Sequence, residues 1–297
     1  MSIWEFTVGK WRPFYSTALY YLRNAPFDLF KEYLRHGVVG HSPDRVRFTN
    51  RDGITFDLDV TECVQKAIFC FHYFEPEDVA AFRTFIKPGS VVFDVGANIG
   101  QYALLASKLV GERGQVYAFE PSPEVLAKLQ ENIRLNSAEN IEVVAKAVTA
   151  ESGMMQFYTA NEQGNQGVGS LLPAEEYRAH TRSAESIEVE ALSLDDFCEA
   201  QGIEHVDFLK IDVEGFDLEV LKGAEKLMER NPDLVVFSEV EPLNLSQVDT
   251  TVEDFYHFTE AHGFQAWYAE KRGQLKRLKG GRAPYHPNVF FLPEPKK

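Results

Sequence analysis

The 297-residue chain has only three cysteines, Cys63, Cys70 and Cys198, and none stands in a C-x-x-C spacing. Three thiols cannot all pair. A disulfide scaffold and a cysteine zinc site are therefore disfavoured, and a reducing, cytoplasmic setting fits best. Positive charge is also in short supply, with 30 Lys and Arg against 45 Asp and Glu, a formal net charge of −15. A general nucleic-acid binder displaces phosphate counterions with a broad basic surface, and this balance argues against one. No run approaches the roughly 18 to 20 apolar residues of a membrane span. Lys10 and Arg12 precede an apolar stretch at 14–22, but Ser16, Thr17 and three tyrosines interrupt it and no small-residue cleavage site follows. It does not read as a signal peptide. What is present is ordinary: 44% apolar and 25% charged residues, the composition of a soluble globular protein. The length suits two average domains, or one large α/β unit with an extension.

Composition shifts divide the chain. Residues 1–44 form an aromatic-rich, mildly basic extension in which Leu19, Leu22, Phe27, Phe30 and Leu34 recur near helical spacing, cut by Pro13 and Pro26. A helical cap on the main domain or a homodimer contact is the favoured reading of this segment, ahead of an interfacial helix touching a membrane surface. Residues 45–84 begin with alternating apolar and polar residues around Arg51-Asp52-Gly53, a hairpin that offers Val46, Phe48, Ile54, Phe56 and Leu58 to one face. Glu75-Pro76-Glu77-Asp78 then opens a helix that ends at Lys87-Pro88-Gly89.

Residues 85–297 read as a third unit. Short β-rich runs at 91–95, 116–119, 141–145, 206–211 and 234–240 alternate with helical patterns at 99–110, 123–136 and 215–230. The alternation predicts a doubly wound parallel sheet with right-handed crossovers. It breaks between Gly153 and Ser186, where the polar, glycine-rich 161–171 has the composition of a long loop. Segments at 264–270, 274–278 and 289–292 read as antiparallel strands on the sheet's edge.

Three segments carry the chemistry. The first is the strand Val91–Val95, which ends in Asp94 and runs into Gly96, Asn98 and Gly100 with the spacing D-x-G-x-N-x-G. A dinucleotide fingerprint has glycine where Asp94 stands, because pyrophosphate sits over that turn. A carboxylate there repels pyrophosphate and suits an amine or sulfonium cation. The second is Glu120, at the end of the next strand and twenty residues past Gly100, where an acid commonly holds ribose hydroxyls. Together they favour a cationic nucleoside, of which S-adenosylmethionine is the common cofactor. The third is Lys210-Ile211-Asp212-Val213-Glu214-Gly215, which ends an apolar strand. Period-two geometry puts Lys210 and Asp212 on one side, where they satisfy each other or a ligand. Catalysis and a structural ion pair weigh evenly for Lys210, and a site role is favoured for Asp212.

These segments together resemble the FkbM family of S-adenosylmethionine-dependent methyltransferases, through DVGANIGQYALLASKLV (94–110), VYAFEPSPEVLAKLQENIRLN (116–136), LDDF (194–197), KIDVEGFDLEVLKGA (210–224) and SEVEP (238–242). The resemblance implies a class I methyltransferase fold, a Rossmann-like seven-stranded sheet whose last strand is antiparallel. It implies methyl transfer to a hydroxyl of a small-molecule, sugar or lipid-like acceptor. Carried over, Asp94, Gly96, Asn98 and Gly100 line the methionine and ribose end, and Glu120 holds the ribose. Ala147 falls near adenine, while Lys210, Asp212 and Glu214 face the methyl group. Two departures stand out: Ala145-Lys146-Ala147 lacks the acid many methyltransferases carry there, and Phe216-Asp217 replaces Ala-Glu.

Other features are weighed lower. Asp212, Glu214, Glu239 and Glu241 offer oxygens to a divalent metal, but in so acidic a chain they read first as crevice acids, and no metal is expected. The basic run Lys271, Arg272, Lys276, Arg277, Lys279 and Arg282 could steer an anionic acceptor or touch a lipid surface, with a solvated hairpin slightly ahead. His286 is a lone histidine, more often not catalytic. An NAD-dependent oxidoreductase and a nucleoside-binding scaffold without catalysis are the alternative functions.

Overall fold

The structure, a computed structural model, describes residues 44–160, 169–171, 184–279 and 287–294. The N-terminal extension, the glycine-rich 161–168, Arg282 and His286 lie outside the described residues.

Strands β1 (Arg45–Thr49) and β2 (Thr55–Asp59) pair antiparallel with Phe48 opposite Phe56. Asn50 closes the turn, its Oδ1 accepting the backbone N–H groups of Asp52 and Ile54 at 3.0 Å each. Ile54, Phe56 and Leu58 are buried, while Val46 and Phe48 are half-buried. Helices α1 (Cys63–Phe71) and α2 (Pro76–Phe85) lead into the main sheet, α2 with proline and acids in its first turn.

The main sheet begins with β3 (Val91–Val95), followed by α3 (Gln101–Val110), β4 (Gln115–Phe119), α4 (Pro123–Asn136), β5 (Ile141–Val144) and the two-residue β6 (Ala147–Val148). Next come β7 (Gly153–Ala160), β8 (Gly169–Ser170), β9 (Ala184–Leu192), α5 (Leu194–Gln201) and β10 (Phe208–Ile211). The chain continues through α6 (Asp217–Lys222), α7 (Glu225–Arg230), β11 (Val235–Glu239), α8 (Pro242–Ser246) and α9 (Val252–Ala261). It closes with β12 (Phe264–Ala269), β13 (Leu275–Arg277) and β14 (Asn288–Pro293).

The eight-stranded sheet has the order β13-β12-β14-β11-β10-β3-β4-β5. Neighbours from β11 to β5 are parallel, and β14 is antiparallel to both β11 and β12. This is the expected seven-stranded class I arrangement with β13 added at its edge. Of the last three strands, only β13 lies at that edge: β14 enters the sheet, and Val289, Phe290 and Phe291 are fully buried there. Alternate side chains of the central strands feed two cores. Phe93, Phe119, Leu209 and Ile211 pack on one face, and Val92, Ala118, Phe208 and Phe237 on the other. Burial on both faces explains why the strands read as unbroken apolar runs.

Two expectations are corrected. The loop expected over 161–171 ends in strand β8, whose Gly169 and Ser170 pair with Thr159 and Tyr158, and where the alternation breaks β7 and β9 pair antiparallel from Gly153 opposite Ala191 to Ala160 opposite Ala184. With β6 and β8 they make a second sheet, β6-β9-β7-β8. The helix expected over 215–230 is two helices broken at Gly223. A Cβ on Gly223 would stand 2.3 Å from the Thr149 carbonyl oxygen, so the close crossing of the β6 segment fixes the break. Asp195 then caps the new helix, its carboxylate accepting the N–H groups of Lys226 and Leu227 at 3.0 and 2.8 Å.

Asn132, fully buried on α4, ties the hairpin to the main domain. Its Oδ1 accepts the Asp57 N–H at 2.8 Å, and its Nδ2 donates to the Ile99 carbonyl at 2.9 Å, at the glycine turn after β3. Asn132→Ala strands both backbone groups and should cost about 2 to 4 kcal/mol of stability in urea unfolding. An unchanged midpoint would show that the hairpin is held by apolar packing alone.

Candidate active site

At the carboxyl ends of β3 and β4 the chain reverses where doubly wound sheets form a crevice. Gly96 and Ala97 both donate to the Phe119 carbonyl, at 3.0 and 2.9 Å. Gly96 has φ 72°, and a Cβ there would lie 2.0 Å from the Asp212 carbonyl oxygen, so only glycine lets β3 and β10 close up at this end. Asn98, at φ 50°, donates its backbone N–H to Glu120 Oε2 at 3.0 Å. Ser122 N–H reaches the other oxygen at 2.9 Å. Glu120 is thus gripped by backbone donors on both oxygens, yet burial outweighs them and pushes its carboxyl up to about 7.

Behind the turn lies Lys210, whose side chain is 5% exposed. Its ammonium donates to the Gly96 carbonyl at 2.7 Å and stands 3.2 Å from Asp94 Oδ1 and 3.5 Å from Asp212 Oδ2. Burial opposes this charge, but the two carboxylates outweigh burial and hold the ammonium above its ordinary range. Asp94 is 1% exposed, whereas the Asp212 side chain is half-exposed.

Beyond Asp212, Glu214 adopts φ 53° and Gly215 φ 102°. A Cβ on Gly215 would come within 2.5 Å of the Asn244 carbonyl oxygen, so α8 packs directly on this turn. Asn244 Nδ2 donates to Glu214 Oε2 at 3.0 Å and to Glu239 Oε2 at 3.1 Å. Buried Asp217 accepts from Ser238 Oγ at 3.0 Å, and burial followed by the charge of Asp212 raises it to about 7. Opposite, Asn288 Nδ2 joins Glu75 Oε2 and Asp78 Oδ2 at 2.6 and 3.0 Å.

These elements enclose a cavity of about 240 Å³. Of the residues expected at the site, Gly96, Asn98, Glu120, Ala147, Asp212 and Glu214 line it. Asp94, Gly100 and Lys210 do not: the first and last form the ion pair behind the turn, and Gly100 packs against Leu129. Phe119, Val125, Val148, Phe157 and Leu171 line the cavity together with Ala147 as its apolar part. Glu75, Glu239 and Asn288 join Asp212 and Glu214 at a strongly acidic end. Sequence reasoning had not assigned Phe157, Glu75, Asn244 or Asn288 to the site. The first lies on β7, where the strand–helix alternation breaks off, and the others come from elements remote in sequence. Glu239 had been noted only as a crevice acid.

Among the described residues, no group of three His, Cys, Asp or Glu side chains is placed to hold a metal ion. Lys271, Arg272, Lys276, Arg277 and Lys279 are exposed on the β12–β13 hairpin, away from the cavity lining, with Lys276 paired to Glu270 at 2.8 Å. No helix among the described residues is long and apolar enough to cross a membrane.

Residues 94–266 match the family model described as Methyltransferase FkbM domain. The 2-O-methyltransferase NoeI of Sinorhizobium fredii is 27% identical over 149 residues, an alignment covering 48% of this chain and 60% of that protein. The 31-O-demethyl-FK506 methyltransferase FkbM of Streptomyces tacrolimicus is 32% identical over 160 residues, covering 47% and 61%. The chain therefore spans about three fifths of the length of these curated relatives. Among solved structures, the methyltransferase FkbM from Methylobacillus flagellatus is 16% identical with a TM-score of 0.44, covering 77% of this chain and 52% of the other.

A carboxyl raised by burial binds its proton more tightly folded than unfolded. Its stabilising contribution is complete below the unfolded value and is lost as pH climbs through the folded one. For Glu120 that window runs from 4.5 to about 7. Glu120→Gln should therefore gain about 2.5 kcal/mol of stability relative to the unaltered chain between pH 5 and pH 8, read by urea unfolding at both. A constant difference across that range would mean the carboxyl is not strained by burial.

Proposed function

The chain belongs to the FkbM methyltransferase family, and on that premise we propose that it transfers the methyl group of S-adenosylmethionine to a hydroxyl of a small-molecule or sugar acceptor. The observation that carries this reading is the cavity lining, which combines an apolar cluster around Ala147, the backbone-held Glu120 and an excess of carboxylates. A pyrophosphate would meet like charge throughout the acidic end, which weighs against a nicotinamide cofactor. A sulfonium is attracted there.

The residues present fit such a nucleoside. Glu120, already fixed by two backbone donors, keeps further lone pairs for ribose hydroxyls. Phe157, Leu171 and Val148 beside Ala147 suit the base, and the bare backbone at Gly96 admits the methionine portion closely. When bound, the sulfonium supplies an electrophilic methyl and leaves as a neutral sulfide. The protein's part is to align the acceptor, exclude water and manage one proton. Asp212, half-exposed on the cavity and anchored by Lys210, orients the acceptor hydroxyl by accepting its hydrogen bond. Lys210 holds Asp212 and the glycine turn in one frame. Glu214 stands next along the acidic end.

The acceptor class rests on this lining together with the O-methyltransferases among the relatives. A donor labelled in its methyl group, offered with a panel of hydroxylated sugars and lipids, tests the reading. Asp212→Ala should lower turnover by about 100-fold or more while S-adenosylhomocysteine affinity, followed by calorimetry, stays within about threefold. Full activity in that variant would remove Asp212 from the mechanism. Folded protein that binds neither S-adenosylmethionine nor S-adenosylhomocysteine would overturn the function, and binding without transfer to any acceptor would leave a scaffold.

A further inference from the structure

Asn244 does something at the acidic end that the methyl-transfer reading does not use. One amide nitrogen donates to two carboxylates, Glu214 at 3.0 Å and Glu239 at 3.1 Å, so both oxygens lie within a single group's reach. The arrangement is braced from both sides. Glu214 is held at φ 53°, a conformation that a non-glycine residue keeps only when its surroundings impose it. The backbone of Gly215 rests on the Asn244 carbonyl, so the donor and one acceptor are fixed by contact as well as by hydrogen bonding. Both glutamates face the cavity.

The charges around the pair decide its state. Asp212 and Lys210 approach from the end of β10, Asp217 from α6, and Glu75 from the start of α2. Three of these four neighbours are acids, and the one cation is already engaged by Asp94 and Asp212. Two full negative charges on the pair would be repelled by each other and by that ring.

We propose that Glu214 and Glu239 act as one carboxyl pair, positioned by Asn244, that receives the proton released by the acceptor hydroxyl. The proposal rests on the methyl-transfer reading and extends it. As the acceptor oxygen bonds to the methyl carbon, the carbon–sulfur bond breaks with its electrons kept by sulfur. The O–H proton, hydrogen-bonded to Asp212, passes through that carboxylate to the ionised member of the pair and from there to solvent. Asp212 orients the hydroxyl, and the pair takes the proton. In support, burial and then the charge of Asp212 raise Glu214 to about 8, and the same causes hold Glu239 well above the usual carboxylate range. The competent, singly ionised pair therefore appears only as pH rises above the usual carboxylate range.

The first readout needs neither cofactor nor acceptor: the carbonyl stretch of protonated carboxyls, followed by infrared difference spectroscopy while the cofactor-free protein is titrated. Subtracting the titration of Glu214→Gln, which cancels the separate steps of Glu120 and Asp217 near pH 7, should leave two linked steps above the usual carboxylate range. Asn244→Ala removes a donor that favours the charged form, so the lower of them should move up by about one unit. Glu239→Gln should replace the two linked steps by the single step of Glu214. The second readout is the pH profile of kcat on the acceptor that scores in the labelled-methyl assay. Its alkaline rise should follow the infrared step in the unaltered chain and move with it in Asn244→Ala. A cooperative urea-unfolding transition certifies the fold of each variant, and Glu239→Gln serves alone if Asn244→Ala does not fold. An infrared titration without linked steps overturns the pair. A rate that falls equally at every pH with an unmoved rise reduces Asn244 to a structural part. Failure of all cofactor binding would instead overturn the methyl-transfer reading, while the infrared titration still decides the pair.

Discussion

Everything at the carboxyl end of the sheet depends on one buried ammonium. Lys210 lies between β3 and β10, donates to the Gly96 carbonyl and stands within ion-pair distance of Asp94 and Asp212. Removing a charge from water costs several kcal/mol, so this lysine is tolerable only while its carboxylates remain charged. The cost has a geometric return. The glycine turn must stay where Gly96 can press against the backbone of Asp212, and that contact sets the floor of the cavity. The turn in turn delivers the Asn98 N–H to Glu120, and the end of β10 directs Asp212 and Glu214 into the same space.

The cavity is consequently unfavourable to its own protein. Glu120, Glu214, Asp217 and Glu239 are all raised, in each case chiefly by burial, and the Lys210 ammonium does not balance their charge. Such an excess of carboxyls weakens the folded state as pH rises, which only a ligand could compensate. A cation with hydroxyl donors meets both demands, because it attracts the acidic end and offers hydrogen bonds to Glu120. The apolar cluster around Ala147 has no such conflict. Strain thus lies where the chemistry is proposed to occur, and ordinary packing lies where a base would rest.

Much of this was legible in the sequence because it is written locally. A strand of unbroken apolar residues, an acid, and glycines at fixed offsets describe a strand–turn–helix unit without knowledge of the rest. The parallel sheet followed from repeats of that unit, and Asp212 and Glu120 from their positions at strand ends. The missed features depend on crossings that no short window contains. Gly223 breaks a helix because Thr149 passes over it. Strand β14 enters the sheet rather than bordering it, because its three apolar residues find a place between β11 and β12. Asn244 and Asn288 look like loop or strand-end amides in sequence. Each becomes a bridge between two acids only when β10, β11, β14 and α2 converge. Asp94 shows the reverse case, in which the position suggests a ligand contact while the buried side chain faces Lys210 and its neighbour Gly96 lines the cavity.

The central claim is that Glu120 waits, partly protonated, for a ribose. Hydroxyl donors favour the carboxylate, so a nucleoside that binds there must expel the proton that burial retains. The most direct measurement is calorimetric titration of the protein with S-adenosylhomocysteine in buffers of different ionisation enthalpy. With the carboxyl at about 7, binding should release about half a proton at pH 7 and close to one at pH 6, and this release should vanish in Glu120→Gln. Heat independent of the buffer, or a release that survives the substitution, would contradict the account.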